Sequence, residues 1–154
     1  MLELRRETTS QIYAHAMKEF PNECCGAILT DGTKDCVRRC NNIQNERHAE
    51  DPATYPRDAR TAYLMDPNDL IKIHREVDTK GTQIKAFYHS HPNEDAYFSD
   101  KDKTDATEPW GLPNYPDTVY VVISLYDRQI NVARAYSWDD NAEDFVEVPI
   151  NSVA

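Results

Sequence analysis

The 154-residue sequence predicts an α/β (α+β) fold with a central mixed β-sheet flanked by helices. Segments in which apolar residues recur at helical spacing alternate along the chain with short apolar runs typical of strands. Residues 119–125 are almost continuously apolar, as expected of a strand that is buried on both faces. The length is that of one domain with a sizeable core, so we expect residues 1–154 to form a single domain.

The amino-terminal part predicts one helix and one hairpin. Apolar residues at helical spacing favour a helix over residues 8–20, which Pro21 then ends. Residues 25–30 are an apolar run closed by Asp31-Gly32, a pair typical of hairpin turns. We therefore expect a strand over residues 25–30 and its return strand over residues 34–39.

The middle of the chain predicts a long loop, a brief strand and a second helix. Residues 41–60 are polar and contain two prolines, which indicates a loop of a length that is usually either functional or mobile. Residues 63–65 predict the brief strand. Asp66-Pro67 then opens a helix that extends to about Asp78 and stops at Lys80-Gly81.

The carboxyl-terminal half predicts strands that are separated by loops and one short helix. A strand over residues 83–88 leads into a loop, after which a short helix is expected to begin near Ser99. Residues 108–117 contain three prolines and a glycine, so they form a second loop. The remaining strands are expected over residues 119–125, 130–138 and, at an edge, 144–150.

The charge balance excludes one class of partner. The chain has 17 basic and 27 acidic residues and a formal net charge of -10, which repels phosphate backbones and argues against nucleic-acid binding. A saline cytoplasm and a basic partner are both compatible with this charge. No stretch has the length of a membrane span or a signal-peptide core, so we expect a cytoplasmic protein without a membrane partner. The sequence carries no signal for an oligomeric state.

Two histidines and one aspartate have the ligand chemistry of a catalytic zinc site. His89 and His91 follow the predicted strand two residues apart, and alternation along a strand points both side chains the same way. Asp102, brought back by the loop, supplies a third ligand and leaves the fourth tetrahedral position open. Each half alone has a simpler interpretation, because His-x-His pairs are common polar features and Ser99-x-x-Asp102 can cap a helix.

The combined pattern resembles the signature of the JAMM (MPN-plus) zinc metalloproteases, in their free-standing prokaryotic form. That signature is His-x-His, seven residues, Ser, two residues and Asp, and His89, His91, Ser99 and Asp102 fill every polar position. The family also has an upstream glutamate, which Glu23 matches in the stretch Pro-Asn-Glu-Cys-Cys-Gly.

Two further stretches are similar to the family, and one position departs from it. Asn41-Asn42 and residues 63–67 extend the resemblance over about residues 4–137. Phe98 stands where many members have a proline just before the serine, which could alter the loop but removes no ligand.

The resemblance implies a fold, a metal and a role for each matched residue. It implies a single JAMM/MPN domain of cytidine-deaminase-like shape. His89, His91 and Asp102 would hold one zinc ion per chain, with water in the fourth position. Glu23 would act as the general base and Ser99 as the donor to the oxyanion. The substrate would be an amide bond at the C-terminal Gly-Gly tail of a ubiquitin-like or sulfur-carrier protein.

Two alternative functions for the same residues predict different motifs or activities. A zinc deaminase would need His-x-Glu and Pro-Cys-x-x-Cys, and the sequence has neither. A non-catalytic scaffold or interaction module would retain zinc without any activity that depends on Glu23. The four cysteines are interpreted as ordinary thiols: Cys24, Cys25, Cys36 and Cys40. A cysteine zinc site would need a second close pair, and a nucleophilic thiol would need an additional histidine signature, and the sequence has neither. His15, His48 and His74 belong to no ligand pattern.

Overall fold

A computed structural model describes residues 1–154 and contains eight strands and four helices. None of the helices is both long and apolar enough to cross a lipid bilayer. The elements follow one another in the order β1 (Leu2–Arg5), α1 (Arg6–Glu19), β2 (Cys25–Thr30), β3 (Asp35–Cys40), α2 (Gln44–Glu50), α3 (Pro67–Lys80), β4 (Gln83–Pro92), α4 (Asp100–Asp105), β5 (Val119–Tyr126), β6 (Gln129–Asp139), β7 (Asp144–Val148) and β8 (Ile150–Val153).

A six-stranded mixed sheet organises the molecule, in the order β3-β2-β4-β5-β6-β7. β4 and β5 are parallel neighbours at its centre, and all the other pairs in this sheet are antiparallel. The two ends of the chain meet in a separate sheet, in which β1 runs parallel to β8. The predicted class, a central mixed sheet flanked by helices, is confirmed.

Each face of the large sheet carries its own core. On one face, Ile12 and Ala16 of α1 pack against Tyr88 and its neighbours on β4 and β5. On the other face, Ile73 of α3 packs in a cluster that includes Phe87. Strand alternation places Tyr88 and Phe87 on opposite faces of the sheet, so β4 contributes to both cores.

Several predicted elements are confirmed and others are wrong. The hairpin of β2 and β3 and the helix α3 lie where they were predicted, and α3 has the expected Asp66 cap and a left-handed Gly81 with φ of 68°. The predicted loop 41–60 contains α2, and residues 63–65 form no strand, since only Met65 makes an isolated bridge, to Asn42. The short strands β1 and β8 were not predicted.

The helix α2 was missed because it depends on tertiary contacts. The segment of α2 has no apolar stripe, and it is anchored instead by polar contacts with the loop that follows it. The buried Gln44 donates from Nε2 to the carbonyl of Arg57 at 2.9 Å, and Asn45 Oδ1 accepts from the Ala59 amide at 2.8 Å. A helix held in this way leaves no periodic signal in the sequence.

A buried polar pair joins α1 to the centre of the sheet. The Tyr88 hydroxyl lies 2.7 Å from His15 Nδ1, and both side chains are buried. Gly26 on β2 leaves room for this ring, because a Cβ there would come within 2.5 Å of Tyr88 ring carbons. Burial and, to a lesser degree, the positive charges of Arg39 and Lys18 lower the pKa of His15 to about 4.

We expect His15 to make the stability of the protein depend on pH. An unfolded histidine titrates near about 6.5, so between that value and about 4 the unfolded chain binds the extra proton. The stabilisation is therefore complete above pH 6.5 and is lost as the pH falls toward 4. At pH 4.5 the loss should amount to about 2–3 kcal/mol, less any offset from Glu19, which lies 4.0 Å from the ring.

The measurement is urea unfolding of the wild type and His15→Gln at pH 7.5 and pH 4.5. The variant lacks the titrating group, so its free energy of unfolding should fall by less over this range. Equal losses in the two proteins would contradict the assignment.

Candidate metal centre

The two histidines of the motif lie on the central strand of the sheet. β4 extends to Pro92, four residues beyond the predicted end, so His89 and His91 lie within the strand rather than after it. They share the face of Phe87, and both are buried. Tyr63 stacks on the His89 ring with centroids 4.6 Å apart, which fixes the plane of that imidazole.

Asp102 reaches the same point from α4. Ser99 is the N-cap of this helix: its Oγ accepts from the Asp102 amide at 3.0 Å, and Asp102 Oδ2 accepts from the Ser99 amide at 3.0 Å. This reciprocal pair is a capping box, so the capping interpretation of Ser99-x-x-Asp102 is confirmed. The same geometry leaves the Asp102 carboxylate turned toward the histidines.

Phe98, the departure from the family pattern, anchors the start of this helix. Its ring is buried and packs against Tyr136 and Phe145 with centroids 5.4 and 4.9 Å away. The aromatic contact holds the loop on the second core without displacing Asp102.

The three predicted ligand atoms form a nearly equilateral triangle. Asp102 Oδ2 lies 3.2 Å from His89 Nε2 and 3.3 Å from His91 Nε2, and the two Nε2 atoms are 3.2 Å apart. A tetrahedral zinc ion with ligand distances of about 2.0–2.1 Å has ligand–ligand edges of about 3.3 Å. Two imidazole nitrogens and a carboxylate oxygen are also donors that zinc accepts. The residues therefore fit a zinc ion in both spacing and chemistry.

Hydrogen bonding orients His91, and charge keeps Asp102 ionised, as the binding of a cation requires. His91 Nδ1 lies 2.9 Å from the backbone carbonyl of Asp95, which places the proton on Nδ1 and leaves the Nε2 lone pair facing the site. Burial would raise the pKa of Asp102, but His89 and His91 outweigh it and hold that pKa well below its usual range. Asp102 therefore stays ionised at neutral pH.

Glu23 lies beside the triangle and is a second carboxyl group within reach of it. A carboxylate oxygen of Glu23 and one ring nitrogen each of His89 and His91 all lie within 4.8 Å of one another. Asp102 Oδ2 lies 3.2 and 3.3 Å from the two Nε2 atoms, so Asp102 completes the triangle and Glu23 is an additional carboxyl group beside it. Burial raises the pKa of Glu23 to about 8, although the charge of His91 opposes the rise. A carboxyl group with a pKa of about 8 can exchange a proton near neutral pH.

Asn42 holds Glu23 in place and was not assigned a role from the sequence. Its Nδ2 donates to the carbonyls of Glu23 at 2.9 Å and Ala62 at 3.2 Å. Its Oδ1 accepts from the amides of Gln44 and Leu64, both at 3.0 Å. One side chain thus joins three separate backbone segments around the site, and the only sequence signal for it was the similarity of Asn41-Asn42 to the family.

The other candidate residues lie outside the site. His15 pairs with Tyr88, His48 Nδ1 lies 2.7 Å from the Tyr55 carbonyl, and His74 Nε2 lies 2.9 Å from the Tyr115 hydroxyl. The four cysteines are free thiols. Burial raises the pKa of Cys24 to about 12 and that of Cys25 well above its usual value, which is unsuited to a nucleophilic thiolate.

The chain is an α+β protein with a candidate metal centre. In this centre two imidazoles and a carboxylate converge on one point of a mixed sheet, and a second carboxyl group lies beside them. Residues 5–147 match the family described as prokaryotic homologs of the JAB domain, and the chain belongs to this family. The resemblance to JAMM (MPN-plus) proteins is thereby confirmed.

Relatives and one solved structure extend this comparison. The chain is 29% identical over 153 residues to the CysO-cysteine peptidase of Mycobacterium tuberculosis, covering 99% of this chain and 92% of that protein. It is 31% identical over 113 residues to a probable TtuB-protein conjugate cleaving protease of Thermus thermophilus, covering 73% and 67%. The solution structure of a protein from Desulfitobacterium hafniense shares the fold with a TM-score of 0.72, at 23% identity and with 99% and 93% of the two chains covered.

Proposed function

We propose that this chain is a zinc-dependent peptidase or isopeptidase that cleaves the amide bond at the C-terminal Gly-Gly tail of a ubiquitin-like or sulfur-carrier protein. The observation that carries the proposal is the 3.2–3.3 Å triangle of His89, His91 and Asp102 with Glu23 beside it. The family match over residues 5–147 and the pairing of β1 with β8 support treating residues 1–154 as one catalytic domain.

His89, His91 and Asp102 are the residues that would hold the zinc ion. A bound zinc ion supplies Lewis-acid polarisation and makes water acidic enough to ionise near neutral pH. The rest of the chemistry is assigned to this chain's own side chains.

Glu23 is the proton carrier of the proposed reaction. Its carboxylate takes a proton from the attacking water and then delivers that proton to the amine that leaves. A pKa of about 8, raised by burial, favours the second half of this exchange at neutral pH. A nearby cation would favour the ionised form needed for the first half.

Ser99 is the proposed donor to the oxygen of the scissile carbonyl. Its Oγ already accepts the Asp102 amide, so its hydroxyl proton is free to point into the cleft that it lines. A single donor of this kind typically contributes about 2.7–4 kcal/mol of stabilisation as negative charge develops on the oxygen.

The size of the cleft supports a slender tail as the substrate. Glu23, His91, Ser99 and Asp102 line a cleft of about 280 Å³, which is narrow for a folded segment. Glycines have no side chain, so a Gly-Gly tail can bring its last carbonyl to this point. The names of the relatives support a carrier or a carrier conjugate as the partner: CysO-cysteine and TtuB-protein conjugate.

The composition supports the remaining assignments. A net charge of -10 argues against a nucleic-acid partner, and four free thiols are typical of a reducing cytoplasm. We therefore propose a cytoplasmic enzyme that acts on a protein tail.

The test is cleavage of a ubiquitin-fold sulfur carrier whose Gly-Gly tail is extended by one alanine. The zinc-loaded protein should release alanine, with the new carrier mass read by mass spectrometry, and a chelator should stop the release. A carrier with Ala-Ala in place of Gly-Gly is the matched control and should be cleaved slowly. Intact substrate after prolonged incubation with zinc-loaded protein would refute the proposal.

Asn42→Ala should weaken both the fold and the activity. The substitution removes four hydrogen bonds and leaves backbone groups unpaired, which should cost about 1–3 kcal/mol of unfolding free energy. Because Glu23 loses an anchor, kcat on the tail substrate should fall by about 10- to 100-fold. Urea unfolding and turnover measure the two effects. Asn68→Ala, an exposed position on α3, is the control; equal behaviour of the two variants would show that Asn42 positions nothing.

A further inference from the structure

We propose that Arg57 recognises a free α-carboxylate on the residue that leaves, so that the preferred substrate is a carrier extended by a C-terminal amino acid rather than a lysine conjugate. This inference rests on the proposed function and assigns a specificity to it.

The first observation is the place of Arg57 in the site. It lines the same cleft as Glu23, His91 and Asp102. That cleft adjoins two different surfaces. Tyr63 is shared with a mostly apolar groove, whereas Arg57 is shared with a neighbouring groove that is lined by charged and polar side chains together with three prolines. The charged end of a substrate can therefore lie in this neighbouring groove, on the side of the metal cleft that Arg57 lines.

The second observation is that the guanidinium group of Arg57 has no carboxylate partner. Its only hydrogen bond is a long one, from Nη1 to the Thr61 carbonyl at 3.5 Å. The other cation of the cleft, Lys101, is already paired with Asp105 at 2.6 Å. In a chain with 27 acidic and 17 basic residues, an arginine without an acidic partner beside the metal centre is available to bind an anion.

The third observation is that the backbone of Arg57 is fixed relative to Glu23. The Arg57 carbonyl accepts from the buried Gln44 at 2.9 Å. Two residues later, the Ala59 carbonyl accepts from the Glu23 amide at 2.7 Å. One loop thus holds the backbone of Arg57 and the backbone of Glu23 in a fixed relation.

The chemistry of the leaving group matches this arrangement. In a C-terminal amino acid the carboxylate carbon lies only about 2.5 Å from the scissile nitrogen, two bonds away. A Gly-Gly tail carries no charge at this point, and a conjugated lysine presents a methylene stem there instead. A guanidinium binds a carboxylate through two parallel hydrogen bonds, which an ammonium or an amide cannot reproduce.

The experiment compares three substrates that share one carrier and one Gly-Gly tail. The first ends in alanine with a free carboxylate, the second in alanine amide, and the third is an isopeptide to a lysine side chain. Zinc-loaded wild-type protein should cleave the free acid with a kcat/KM about 10- to 100-fold above that of the amide and the isopeptide.

The variants assign this preference to one side chain. Arg57→Gln should remove the preference by raising KM for the acid alone, and Arg57→Lys should restore only part of it. Arg75→Gln is the matched control, because Arg75 is exposed on α3, forms no ion pair and lines neither the metal cleft nor the neighbouring groove that Arg57 shares. It should behave as wild type.

The outcomes separate the two proposals. Equal cleavage of acid and amide by the wild type, or an equal loss on both substrates in Arg57→Gln, overturns the role of Arg57 and leaves the proposed function standing. No cleavage of any of the three substrates overturns the proposed function, and the role of Arg57 falls with it.

Discussion

Glu23→Gln should lower kcat on a tail-extended carrier by about 10²- to 10⁴-fold and leave the zinc content of the protein unchanged. Glutamine has the same shape and keeps the buried position, but it cannot accept the proton of water or return it to an amine. A carboxylate oxygen of Glu23 lies within 4.8 Å of a ring nitrogen of both His89 and His91. The other carboxyl group beside these histidines belongs to Asp102, which we propose as a zinc ligand, so it is not expected to replace Glu23 as the base. Turnover and elemental analysis on the same samples measure the two quantities.

The control for this prediction is Glu19→Gln, at an exposed carboxylate near the end of α1. It should retain both activity and zinc. A Glu23→Gln protein that loses its zinc would show that Glu23 is a ligand rather than the base. One that keeps both zinc and full turnover would remove the general-base role altogether. A scaffold that merely retains zinc would show no turnover in the wild type to begin with.

The parts of the site that were predictable from sequence are those with fixed local spacing. His89 and His91 are two residues apart on a strand, and Ser99 and Asp102 are three apart at a helix start. Each pair follows from the repeat of its own element, so the chemistry of both pairs could be predicted before the fold was known. Glu23 lacks such local geometry and was assigned only through the resemblance.

The parts that were not predictable depend on contacts between distant segments. The polar helix α2 has no amphipathic repeat in its sequence. It supports the loop around Arg57 through a hydrogen bond from Gln44, and this contact forms only in the folded chain. Asn42 likewise acts through four backbone groups on three segments. The strands β1 and β8 are four residues each and pair across nearly the whole chain, which no local pattern encodes.

Asp102→Asn should lower the affinity for zinc by more than about 100-fold while the protein stays folded. Substitutions outside the ligand shell commonly cost about 10- to 100-fold in metal affinity, and the loss of a ligand's charge should exceed that range. The amide oxygen of asparagine can still accept from the Ser99 amide, so the cap of α4 is preserved. Circular dichroism should therefore be unchanged, and a competition titration with a chromophoric chelator should report the weaker binding.

Asp100→Asn, two residues away and exposed on the same short helix, is the matched control and should bind zinc as the wild type does. Thermal unfolding gives an independent measure, because a ligand bound only by the folded state stabilises it according to its dissociation constant. Added zinc should therefore raise the Tm of Asp100→Asn much more than that of Asp102→Asn. If Asp102→Asn bound zinc as tightly as the control, the third ligand would have to be Glu23, the other carboxylate within 4.8 Å of both histidines. The proton would then need a different carrier, so this one affinity decides which carboxylate is the ligand and which is the base.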